Sequence, residues 1–483
     1  MIMSWPSLPQ LIRLPLHLRT HTFLRRTSPA SRCHDLGYRR DSNGSRYDSR
    51  RFIATISEGG IDVDALKAEM LSRPPQYHYD TMHWEPSDLL NLALSDFIPG
   101  NWLPTLIHPS RVDRDLLADD QRAQPVPPGH HLLYFNTRVP GTALCADGTD
   151  PYHSPDPTGP FSRRMWAGGS LRNLQALSLR RQRRVCVERM TDVTVRGSPG
   201  AEKIYVEVSR DYIDEEQLSR LKTSLDSQAL EKLDSHLKEQ RTLVFMREMS
   251  DKMKKESLAA DRTGPGRTSQ AATPRSIIRH TMTPTRTLLF QYSALTYNAH
   301  AIHLDRHHAQ HVEGLPDILV HGPLSLTLLL TALGPQLYKP IIPNRMPSSK
   351  DSETREYIHS INYRHLAPLF VGEPLTLCVA PKISRQASDT DGWATCTDPP
   401  DAGEILSKKS PENGFGLLKG DGIRVNYRTW DLWIEDKNGR LAVKAKAETR
   451  QQIPPGWSDT QLKSHREVQR KRRRNDAQMM PDA

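Results

Sequence analysis

Apolar and polar positions recur along this chain with two different periods, and the periods predict its elements. Over 61–71 and 87–97 the spacing is helical, with Leu66 and Met70 on one face of the first stretch and the Pro74-Pro75 pair ending it. From residue 163 the pattern turns strand-like: 165–171, 177–194 and 203–210. In the last of these Ile204, Val206 and Val208 alternate with polar neighbours, and Gly197-Ser198-Pro199-Gly200 supplies the preceding turn. Leu218, Leu221, Leu225, Leu230 and Leu233 predict a helical insertion over 214–240, and the Lys-, Ser-, Gly- and Pro-rich stretch 249–275 reads as a linker. The second half predicts a strand at 287–292, a polar segment, an apolar run at 324–333, and strands at 356–370, 374–384, 422–435 and 441–448. A Gly-, Pro- and Asp-rich insertion covers 386–420, and Lys437-Asn438-Gly439 marks a hairpin turn.

The run 324–333 is apolar almost all round, so it belongs in a core rather than on a surface. Counted from 318 it is too short to cross a bilayer, and it carries His321 and Pro323. One buried helix followed by antiparallel strands predicts an α+β fold in which a sheet wraps a helix. A faint echo between Met165–Gly169 and Tyr363–Pro368 suggests that the unit occurs twice.

Directly ahead of the buried helix lie Asn298, His300, His303 and His321-Gly322-Pro323. Proline is favoured at a helix start, where the first peptide N–H groups have no intrahelical acceptor and carry positive partial charge. The Gly322 N–H is thus suited to a developing oxyanion such as a thioester enolate. His303 can move a proton near neutral pH. Asn298 can orient a water but cannot titrate. Loss or addition of water beside an activated carbonyl is one reading of this set. A metal site is another, since His303 and His307 are spaced one helical turn apart, yet no Glu or Cys completes a ligand pattern. His307, His308 and His311 read as solvated helix positions, and no metal is expected.

Composition limits the partners. The 483 residues carry 36% hydrophobic and 25% charged side chains and a net charge of +10. Residues 1–54 alone account for +7 and residues 463–474 for +6, which leaves −3 on the rest. A basic groove for nucleic acid is not supported. The first 54 residues, Arg-rich, Ser-bearing and without an acidic residue before Asp35, have the character of a mitochondrial transit peptide. The basic cluster Arg470–Arg474 reads as a solvated tail, 453–483. Five widely spaced cysteines with no Cys-x-x-Cys pair fit a reducing compartment.

The stretch 292–305, Tyr-Ser-Ala-Leu-Thr-Tyr-Asn-Ala-His-Ala-Ile-His-Leu-Asp, followed by His321-Gly322-Pro323-Leu324, resembles the hydratase 2 motif of MaoC-like hot-dog proteins. Pro127-Pro128-Gly129-His130, Asp147-Gly148 and Pro160–Gly169 add a similarity to the type 2 hydroxyacyl-thioester dehydratases and to mesaconyl-C4-CoA hydratases. The resemblance implies a double hot dog, with a degenerate unit over 75–248 that widens the acyl pocket, a linker at 249–278, and a catalytic unit over 279–452. It implies interconversion of (3R)-3-hydroxyacyl and trans-2-enoyl thioesters in the mitochondrial matrix, without a cofactor. The acyl group would arrive on acyl carrier protein or coenzyme A, with homodimerisation left open. His303, Asn298 and Gly322 would be catalytic, and His300, His321, Tyr297 and Trp166 would bind substrate. One departure is Asn298, where the broad motif carries Asp; His300 and Ala301 likewise replace its Asn and Pro. A hydratase of short diacid thioesters and a non-catalytic acyl-thioester-binding protein are the alternatives.

Overall fold

The computed structural model describes residues 56–57, 60–104, 125–157, 159–173, 177–179, 182–221, 230, 233–263, 276–337, 356–382, 415–420 and 423–453. The leader at 1–54 and nearly all of the tail lie outside them, as does most of the 386–420 insertion.

Strands recur through both halves. After a small pair, β1 (Ile56–Ser57) and β2 (Gly60–Ile61), comes α1 (Val63–Leu71), whose first turn is capped by Asp62 accepting the Ala65 N–H at 3.0 Å. The first unit continues with β3 (Gln76–Asp80), α2 (Glu85–Leu94), β4 (Arg163–Asn173), β5 (Arg184–Arg196), β6 (Lys203–Asp214), α3 (Glu215–Leu221) and β7 (Leu237–Met246). Helix α4 (Asp251–Thr263) leads into the second. There β8 (Ile278–Met282), α5 (Arg286–Leu295) and α6 (Gly322–Leu337) precede β9 (Glu356–His365), β10 (Leu375–Pro381), β11 (Phe415–Gly420), β12 (Ile423–Glu435) and β13 (Leu441–Ile453).

Strands β3 to β13 form one 11-stranded sheet in the order β3-β5-β6-β7-β4-β9-β13-β12-β10-β8, with β11 paired to β12. Setting β11 aside, each half repeats one order: first, third, fourth, fifth, second strand. The two runs meet where β4 pairs antiparallel with β9, Gly168 opposite Arg364 and Leu171 opposite Ile361. The faint sequence echo thus falls on the two strands that form this seam, and the duplicated order is the double hot dog. Helix α6 packs on β9, β10 and β12. Leu324, Leu326, Leu328, Leu329 and Leu333 are fully buried, as a helix without a polar face requires. Its hydroxyls are satisfied within the helix: Thr327 donates to Pro323 O at 3.0 Å and Thr331 to Thr327 O at 2.8 Å. In the corresponding place of the first unit, between its first and second strands, the described residues hold only α2 and short 3-10 turns such as His130–Leu133. Helix α2 packs on α5.

Several expectations are corrected. Residues 287–292 are helical: Leu288, Leu289, Tyr292 and Ser293 form a buried stripe, and the Thr285 hydroxyl caps the start by accepting the Leu288 N–H. A short apolar run carries no period long enough to separate strand from helix. The expected helical insertion at 214–240 is helical over Glu215–Leu221, while Leu237 already begins β7, and 222–229 lie outside the described residues. The expected linker contains α4, begun by Ser250 accepting the Met253 N–H. The end of the 386–420 insertion, Phe415–Gly420, is a strand.

Candidate active site

After α5 the chain enters a left-handed residue, Tyr297 with φ 51°, which turns Asn298 toward the helix it has just left. The Asn298 N–H donates to Ser293 O at 2.9 Å, and its side-chain Oδ1 accepts the His300 N–H at 3.0 Å. That Asx-type turn sets up a 3-10 turn, Ala301–His303, which carries His303 inward. The turn is held from the first unit: Ala301 N–H donates to Asp147 O at 2.7 Å, and His300 Nε2 lies 3.4 Å from Asp147 Oδ2.

The His303 ring is fixed on two sides. Its Nδ1 lies 2.9 Å from Leu319 O, and because a carbonyl can only accept, Nδ1 must carry the proton. Nε2 therefore keeps a lone pair. Behind it His321 stacks at 3.8 Å with 23° between ring planes, while His300 meets it edge-on at 5.5 Å. His321 is itself anchored by Ser293 Oγ at 2.8 Å from Nε2. Burial drives all three imidazoles toward the neutral form. His303 falls to about 4, partly opposed by its hydrogen bond to Leu319 O; His300 and His321 fall well below the ordinary value, helped by the neighbouring His303.

Gly322 opens α6, with His321 as the residue before it and Ser325 N–H donating to His321 O. Its own N–H has no acceptor within the helix. A Cβ at Gly322 would lie 3.3 Å from His365 Nε2 and 3.5 Å from Trp166 Cβ, so glycine keeps the approach to this N–H open. Trp166 is held by its indole N–H donating to Gly168 O at 2.8 Å and by the Arg241 guanidinium 4.7 Å from its ring centroid.

Asn298, His303, Gly322, His300, Tyr297 and Trp166 line one cavity of about 770 Å³ between the units. His321 is not among the lining residues: it is fully buried and stacked on the His303 ring. Two features of the wall were not anticipated. His365, at the end of β9, also lines the cavity. Its position two residues beyond Tyr363 and four beyond Ile361, on the inward face of the strand, was the available signal. The other is a ladder of charges in the first unit. Register places Glu188 opposite Arg210 and Arg210 opposite Glu239, with Arg241 two residues on. Arg210 Nε lies 2.9 Å from Glu188, and Arg241 donates to both Glu239 oxygens. His153 lies between Asp150 and Glu188 at 3.0 and 3.2 Å, and Arg164 reaches Asp150 at 2.8 Å. Burial opposes ionisation throughout, yet His153 and Arg210 hold Glu188 well below the carboxylate range. Arg241 and Arg210 likewise hold Glu239 down to about 2, and Asp150 and Glu188 raise His153 against its burial. Inward charges at alternating strand positions were visible in the sequence as breaks in the apolar pattern.

A neutral imidazole base, a side-chain amide and a helix-end N–H around an enclosed space can remove a proton beside a carbonyl, hold a water and stabilise an oxyanion. A family model described as hydroxyacyl-thioester dehydratase type 2 matches residues 129–371. The chain is 27% identical over 324 residues to the mitochondrial hydroxyacyl-thioester dehydratase type 2 of Schizosaccharomyces pombe, covering 65% of this chain and 93% of that one. It is 29% identical over 279 residues to the mesaconyl-C(4)-CoA hydratase of Chloroflexus aurantiacus, covering 56% and 80%. Among solved structures, a MaoC-like dehydratase from Phytophthora capsici aligns over 79% of this chain and 97% of its own, with 11% identity and a TM-score of 0.42.

Proposed function

The chain belongs to the hydroxyacyl-thioester dehydratase type 2 family, and as a hydro-lyase of that family we propose that it works through His303, Gly322 and Asn298. The single observation that carries the assignment of roles is that His303, Gly322 and Asn298 line one cavity. A (3R)-3-hydroxyacyl thioester enters with its carbonyl oxygen toward the Gly322 N–H. His303 Nε2 takes the proton from C2, and the electron pair moves onto the thioester oxygen, where the helix end stabilises it. The enolate collapses to form C2=C3 and breaks the C3–O bond. His303, now an imidazolium, returns the proton to the departing hydroxyl, so that water leaves and trans-2-enoyl thioester remains. Asn298 holds that water, and in the reverse direction presents it. Of the expected binding residues, His300, Tyr297 and Trp166 line the acyl pocket, and His321 supports His303.

The names of the relatives support a mitochondrial setting, and the acidic-poor leader supports import. We place the reaction in the matrix, with the acyl group on acyl carrier protein or coenzyme A. Both cavity walls come from one chain, so the site needs no second copy. A mesaconyl-type short diacid is the second reading, favoured by the ladder of cations and carboxylates in the wall.

The test is dehydration of 3-hydroxyacyl-CoA substrates of increasing chain length, followed by ultraviolet absorbance of the enoyl thioester. His303→Ala lowers kcat by about 10²–10⁴-fold with the fold intact. Undiminished turnover in that variant removes His303 from the chemistry, and binding without turnover in the unaltered protein favours an acyl-thioester-binding role.

A further inference from the structure

His365 lines the cavity, and the reaction above gives it no task. Its Nε2 is cut off from solvent and has no hydrogen-bond partner among the described residues. A buried polar atom in that condition calls for an explanation, a catalytic role or a bound water among them. The atom is aimed at Gly322: the place where a Cβ of that glycine would stand lies 3.3 Å from it. The strand holds the ring in place, since Tyr363 contacts it edge-on at 5.8 Å and β9 is paired on both sides, by β4 and β13.

We propose that His365 is a catalytic residue whose Nε2–H donates the second hydrogen bond to the thioester oxygen, beside that of the Gly322 N–H. Burial drives this imidazole down to about 4, so it is neutral under ordinary assay conditions and donates without adding charge. The division of labour follows from placement. His303, fixed with its lone pair outward, handles protons, while His365 and Gly322 face the oxygen on which negative charge develops. Two donors converging on one oxygen stabilise an enolate more than the ground-state carbonyl, because the bonds strengthen as charge grows.

The inference rests on the role assigned to Gly322, and two measurements keep them apart. In steady-state dehydration, His365→Ala lowers kcat by about 10²-fold while KM moves less than about threefold, the signature of an interaction made in the transition state. His365→Gln, whose amide N–H reaches a similar place, retains most of the activity. The second measurement uses a trans,trans-2,4-dienoyl-CoA bound to His303→Ala, which cannot turn it over. Polarisation of the carbonyl shifts the bound absorbance to longer wavelength. Adding His365→Ala removes most of that shift, and adding His365→Gln preserves it. A shift that is present but indifferent to residue 365, or a His365→Ala enzyme with unchanged kcat, overturns the proposal. Absence of any shift even with His365 in place counts instead against Gly322. Should His365→Ala fail to fold, the Gln variant decides: wild-type-like shift and kcat support the donor role, and loss of both in a folded protein overturns it.

Discussion

At the scale of the residue, His303 owes its usefulness to where its proton is locked. Leu319 O fixes the tautomer, and burial depresses the ring to about 4, so Nε2 stays a free base well below the usual imidazole value near 6.5. The sign follows: lowering the pH from 8 to about 5.5 should leave kcat/KM nearly unchanged, since the free enzyme's base does not protonate in that window. A pH–rate profile with an acidic limb at 6.5 contradicts this environment for His303. Asn298 has a different job, accepting the His300 N–H and facing the cavity. Asn298→Ala should lower kcat by about 10–100-fold through loss of the positioned water and of the turn, read by initial rates beside a thermal melt. Equal rates in the two proteins would leave Asn298 a structural residue only.

At the scale of the element, the turn that carries His303 is shaped from outside itself. The loop at Asp147-Gly148 presses so closely on it that a Cβ at Gly148 would stand 2.1 Å from Ala299 O, and Gly148 has a φ of +83°. Gly148→Ala must push the turn that bears His300 and His303. It should cost about 1–3 kcal/mol of stability and, more tellingly, lower kcat in excess of any loss of folded protein. Wild-type kcat in the folded fraction would show that the turn holds its shape unaided. Sequence revealed the elements that matter most here: α6 through its unbroken apolar run, the strands through alternation, and the approach to Gly322 through the motif. It misread 287–292 because a short apolar run has no decisive period, and 249–263 because a solvated helix rich in Lys and Ser looks like a linker. That His365 and the charge ladder share one cavity wall was hidden for another reason. Which inward strand positions converge on one cavity depends on register between distant strands, and register is not written in any local stretch.

At the scale of the molecule, the ladder Glu188–Arg210–Glu239 ties three strands of the first unit together by ionised groups away from solvent. Removing its shared cation takes one charged partner from each of two buried carboxylates and leaves Glu188 to His153 and Glu239 to Arg241. Arg210→Met should cost about 3–5 kcal/mol, measured by denaturant unfolding. A loss under about 1 kcal/mol would mean that the carboxylates relax to water. The histidines give stability a pH dependence of definite sign. His130, depressed to about 3, and His131, His303 and His365, each depressed to about 4, all by burial, take up protons in the unfolded chain first. Their contribution is complete above about pH 6.5 and is lost as the pH falls toward 4. His153, raised by Asp150 and Glu188, acts oppositely, and its contribution fades as the pH climbs through its raised value.

The seam between β4 and β9 has a consequence for how such a chain can change over time. The first unit holds none of the groups proposed to perform the chemistry, yet it must offer a strand to β9, since otherwise a long row of peptide groups becomes an open edge. Expressed without the first unit, the second should seek that lost neighbour in another copy of itself. What the first unit owes the second is therefore a backbone obligation, and its side chains are at liberty to shape the cavity between them.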